Sequence, residues 1–202
     1  MTGASEAAEE ETEAPSPFAS IERPTLVYVA HAGVGGEEDK KLEDIVFKAE
    51  KVGLAAKAFR TVRMTPEAVE RDTLLAGHGS EVPRLLVVDP VKEKIEILEK
   101  GKLKAGALYD ALKSAAGRFY KESLDKVVKT HLKILTERDQ LANEEKTLRE
   151  KETRLGEEKD AAAKKDLDKV KEEIAAVQKQ LEELATKERD LWKLTPKAEQ
   201  SA

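Results

Sequence analysis

The chain has no cysteine. That excludes disulfides, thiol nucleophiles and thiolate metal sites. It leaves the compartment open, because a cysteine-free chain tolerates either redox environment. Aromatic residues make up only 4% of the 202 residues, which points to one modest core plus a long solvated helical region. No apolar run approaches the roughly 18 residues needed to span a bilayer, so no membrane role is expected. There is no clustered basic patch to neutralise phosphates, which argues against nucleic acid as the partner. Met1 to Glu6 show neither a basic n-region nor an apolar h-region. A soluble cytoplasmic protein is the simplest expectation.

What is present is charge, at 38% of residues, with a net value of −5. Most of the excess lies in Glu6, Glu9, Glu10, Glu11, Glu13 and Glu22, with no Lys or Arg before Arg23. Residues 1–22 bury too little apolar surface to offset ordering, and a disordered acidic tail is expected.

Residues 23–117 alternate strand and helix signals. Leu26 to Ala30 is a short apolar run, and Gly33, Val34, Gly35 and Gly36 follow as a loop. Leu42, Ile45, Val46 and Ala49 sit at helical spacing. Phe59 to Met64 reads as a strand. Thr65 before Pro66 reads as an N-cap followed by the first helical residue. Leu85 to Val88 is a buried-looking strand, Lys94 to Leu98 a second one, and Ala105 to Ala116 an apolar-striped helix. The order β-α-β-α-β-β-α implies a mixed sheet with helices on both faces, an α/β domain.

The stretch Pro24 to His31, then Gly36 to Glu43, then Val46-Phe47, resembles the opening of a thioredoxin-like domain. Val82-Pro83 and Val88-Asp89-Pro90 around the third strand carry the rest of the resemblance. In that family the helix begins with Cys-x-x-Cys. Gly36 and Asp39 stand in those two places here. The resemblance implies a redox-inactive member, since thiol–disulfide exchange needs a thiolate. It also implies a cis Val82–Pro83 bond beside a groove for an extended partner peptide. Gly35, Gly36, Glu37, Ser80, Glu81, Val82 and Pro83 would border that groove.

Residues 118–194 are helix formers with one glycine, Gly156. Val127, Ile134, Leu141, Leu148 and Leu155 recur as heptads, alternating with Leu124, His131, Arg138, Glu145 and Glu152. A second block runs Leu167, Val170, Ile174, Val177, Leu181, Leu184, Glu188 and Leu191. The phase slips between the blocks. This predicts an antiparallel helical hairpin, and hence a monomer; one continuous coil would instead dimerise. The predicted turn lies at residues 157 and 158, with Gly156 as C-cap and Asp160 as the next N-cap. It would set Leu148 beside Leu167, Leu141 beside Ile174 and Ile134 beside Leu181, with Trp192 near the α/β domain. Residues 195–202 read as a tail.

No catalytic residue, cofactor site or metal site is assigned. The glycine loop lacks the Lys-Ser/Thr of a phosphate cradle and is followed by Glu37, Glu38 and Asp39. His31 near those carboxylates reads as a solvated strand end, and His131 as a structural seam residue. The functional expectation is a non-catalytic adaptor that binds an unidentified protein, without nucleic acid or membrane. The alternatives are a purely structural coiled-coil scaffold, and a metal- or ligand-dependent enzyme using His31, His78 and the acidic helix start.

Overall fold

The computed structural model describes residues 23–31, 39–40, 42–44, 48–78, 82–89, 94–157 and 160–197. The acidic segment 1–22 and the loop 33–36 lie outside the described residues. Strands β1 (Thr25–Val29), β2 (Arg60–Met64), β3 (Arg84–Asp89) and β4 (Lys94–Glu99) form one sheet in the order β2-β1-β3-β4. β1 and β2 are parallel, with Thr25 opposite Arg60. β3 runs antiparallel to both β1 and β4. This is the mixed α/β sheet that the alternating signals imply.

Burial explains the order. β3 is buried along its whole length, as a central apolar strand should be. β2 alternates exposed and half-buried positions and lies at the edge. One face of the sheet packs Leu26, Leu85, Val87 and Leu98 against helices α1 (Glu50–Ala56) and α3 (Ala105–Phe119). The other face packs Val27, Val29, Leu86 and Val88 against Val69 of the short helix α2 (Pro66–Glu70) and against Leu75. Residues 39, 40 and 42–44 are also helical. The start of α2 is as read: the Ala68 amide donates to Thr65 Oγ1 at 3.3 Å, with Pro66 in the first helical position. After α2 the Asp72 carboxylate accepts from the Leu74 and Leu75 amides. Gly77 then takes φ +84°, a left-handed conformation natural only to glycine.

Two long helices follow, α4 (Leu124–Glu157) and α5 (Ala161–Leu191), packed on each other as a hairpin. At 1.5 Å per residue they make an arm about 50 Å long. Asp160 caps α5 as expected, accepting from the Ala163 amide at 2.6 Å. Gly156 does not end α4, which runs on through it to Glu157. The break between the two helices falls between Glu157 and the N-cap Asp160. Gln178 donates to Glu145 at 3.0 Å, and His131 meets Glu188 and Trp192, which lie past Leu184, the residue that the expected pairs would set level with it. These side-chain contacts lie one to two helical turns from the expected pairs. Little of this comes from the position of the break, since α4 ends at Glu157 and Asp160 caps α5. Each side chain leans toward its own helix N-terminus, which slides contacts across an antiparallel pair.

The end of the chain is not free of the fold at 195–197. Pro196 bridges Tyr120, the Lys121 amide donates to Thr195 O at 3.0 Å, and the Lys197 amide donates to Phe119 O at 2.7 Å.

Candidate functional site

Of the groove read from the sequence, Val82 and Pro83 are described, half-buried and joined by a cis bond. Gly35, Gly36, Glu37, Ser80 and Glu81 lie outside the described residues. Asp39 is buried at 4% exposure and accepts from the Tyr28 hydroxyl at 3.0 Å. Burial, together with the bond to Asp39 and its charge, pushes the Tyr28 hydroxyl well above its ordinary value. His31 is exposed. The backbone oxygen of His78 accepts from Arg84, whose guanidinium also meets Glu99 at 2.6 Å. Among the described residues no group of three His, Asp or Glu is placed to hold a metal ion.

A cavity of about 310 Å³ opens beside Tyr28. Leu26, Leu42 and Leu85 make its apolar floor, and Glu43, Thr61 and Arg63 its rim. The Arg63 guanidinium carbon lies 5.5 Å from the Tyr28 ring centroid, a cation–π contact that holds the side chain over the opening. Sequence reasoning missed this site. Its one signal was polar: Arg60, Thr61 and Arg63 in a short strand mark an edge.

The second constellation lies where the arm meets the α/β domain. His131, on α4, is only 1% exposed. Its Nδ1 accepts from the indole N–H of Trp192, just past α5, at 2.7 Å. Its Nε2 lies 3.3 Å from Glu188 Oε1. An Nδ1 that accepts has no proton, so this is the neutral imidazole with its proton on Nε2, aimed at the carboxylate. Glu188 also meets Arg138 at 3.5 Å and Lys57 at 3.9 Å. Lys57, at the end of α1, sits 5.7 Å from the Trp192 ring centroid. Burial holds His131 below the usual imidazole value, the Lys57 charge adds to this, and the Glu188 charge opposes it. Three elements thus converge on one polar cluster with His131 buried at its centre. Past Trp192 the strap at 195–197 is tied to the start of the arm, where the Thr195 amide donates to Glu122 at 2.8 Å. His131 and Glu188 were visible in the sequence as polar seam positions. Their pairing depended on the register.

The imidazole at the centre of this cluster is sealed from solvent. The cavity beside Tyr28 is open and has both apolar and charged walls. No family model, curated protein or solved structure matches the chain.

Proposed function

We propose that the chain is a non-catalytic protein-binding adaptor: a thioredoxin-like domain without redox chemistry that carries a helical arm. The observation that carries this reading is the junction of Lys57, His131, Glu188 and Trp192, where the long arm meets the domain. A fixed arm holds two binding surfaces in a set relation. Support for the thioredoxin-like half comes from the sheet order β2-β1-β3-β4 with β3 reversed, and from α1 and α3 covering one face while α2 covers the other. Without cysteine, capture of a partner is non-covalent and reversible.

The test uses the full chain and an arm shortened by matched heptads on α4 and α5, each as bait for cross-linked partners identified by mass spectrometry. An adaptor retains a domain-bound partner when the arm is shortened. A scaffold loses all partners with the arm. Absence of any stoichiometric partner on the full chain refutes the proposal. A Gly36→Cys, Asp39→Cys double variant tests the fold assignment separately, since cysteines so placed close a disulfide only within about 7 Å between Cα atoms.

A further inference from the structure

The outer edge of β2 carries the features of a docking strand. The Arg60 amide donates to Pro24 O and Met64 O accepts from the Ala30 amide, both at 3.0 Å. Arg60, Val62 and Met64 therefore spend their main-chain bonds on β1, and those of Thr61 and Arg63 point away from the sheet. Among the described residues no strand covers them. Thr61 and Arg63 share the face of Leu26 and Tyr28, where the cavity opens. Arg60 and Arg63 are both exposed, and neither guanidinium is in an ion pair among the described residues.

We propose that this edge docks an extended acidic peptide segment bearing one large apolar side chain, an inference that rests on the protein-binding reading above. The peptide adds as a fifth strand through the Thr61 and Arg63 main chains. A peptide residue directly opposite Thr61 shares its face, so an apolar side chain there enters the cavity over Leu26, Leu42 and Leu85. Carboxylates on the neighbouring positions meet Arg60 on one face and Arg63 on the other. Glu43 at the far rim repels a carboxylate in the cavity itself, which keeps the anchor apolar. A second copy of this chain is a poor occupant. Pairing β2 with β2 gathers four arginines and no carboxylate from either strand, and like charges across a ladder are unfavourable.

The test is an amide NMR titration of the full chain with a capped synthetic peptide, Thr-Glu-Glu-Leu-Glu-Glu-Thr. The expected result is saturable shifts at Thr61 and Arg63. Affinity should fall about tenfold on Arg60→Glu with Arg63→Glu, and likewise at high salt. Replacing the peptide leucine by serine should also weaken it, which tests the cavity without altering the protein. The proposal is overturned by absence of shifts, or by equal binding of the analogue with lysine in place of glutamate. It is also overturned if the Thr61 and Arg63 amides of the free chain are already protected from exchange. Protection that rises with protein concentration would assign the edge to a second copy, and concentration-independent protection to another segment of the same chain. Partner capture by the full chain does not depend on this peptide, so the two readings fail separately.

Discussion

Replacing Trp192 by Phe removes one hydrogen-bond donor and keeps an aromatic ring over Lys57. The imidazole Nδ1 of His131 then has no donor, at a site only 1% exposed. Leaving a buried acceptor unmet costs about 1–3 kcal/mol. Taking 2 kcal/mol as the centre, a chain of this size loses about 4–8 °C in Tm. The variant also changes the pH response. In the native protein His131 is held below the usual imidazole value, so the unfolded chain takes up its proton first as pH falls. Stability is therefore full above pH 6.5 and declines as pH drops from there toward the folded value, by at most about 1.4 kcal/mol per pH unit. In Trp192→Phe no donor holds the Nδ1 lone pair, so His131 takes up a proton more readily and this decline should flatten. Urea unfolding followed by far-UV circular dichroism at pH 8, 7 and 6 measures both effects. A Trp192→Phe variant as stable as the parent at pH 8 would refute the bond. A parent whose midpoint stays level from pH 8 to pH 6 would refute the depressed His131 value.

Cysteines introduced together at Glu144 and Lys179 can be spin-labelled cleanly, because the chain has none of its own. Packed helices lie about 8–10 Å apart, so the labels should report a short distance within one chain; a rod would place these positions about 50 Å apart, and pulsed EPR separates the two. Asp160→Ala should cost about 1 kcal/mol through loss of the α5 N-cap, read as a shift in the urea midpoint, and no shift would mean the cap contributes nothing. All three tyrosines resist ionisation, Tyr28 and Tyr109 by burial and their carboxylate partners and Tyr120 by burial, with Tyr109 pushed up to about 12. Absorbance at 295 nm should therefore show little tyrosinate at pH 10 while the fold persists, and the stability held by the neutral hydroxyls is lost only as pH rises further; half-titration at pH 10 in the folded protein would contradict this.

The α/β element order was legible because each strand and helix carries its own local period. β3 is an apolar run, β2 a mixed one, and Thr65-Pro66 announces α2 regardless of the rest of the chain. Strand ends came within about a residue for the same reason. The bend near residues 48 and 49, which leaves α1 beginning only at Glu50, had no such mark, because Leu42 to Ala49 continues a helical spacing.

The arm shows the limit from the other side. A heptad pattern states which face of each helix is apolar, and it repeats, so sliding one helix by a turn presents nearly the same face. Apolar seams therefore tolerate several registers. What selects one is the rare polar member, and here that is His131. A buried imidazole must find a donor or an acceptor for each nitrogen. Leu184, its partner in the register expected from the sequence, supplies neither. Glu188 and Trp192, further along α5, supply both. These two contacts give each nitrogen of the buried His131 ring a polar neighbour. The cavity at the β2 edge was hidden for a related reason. Its walls come from β1, β2, β3 and the 42–43 segment, and no single stretch of sequence contains enough of it to be recognised.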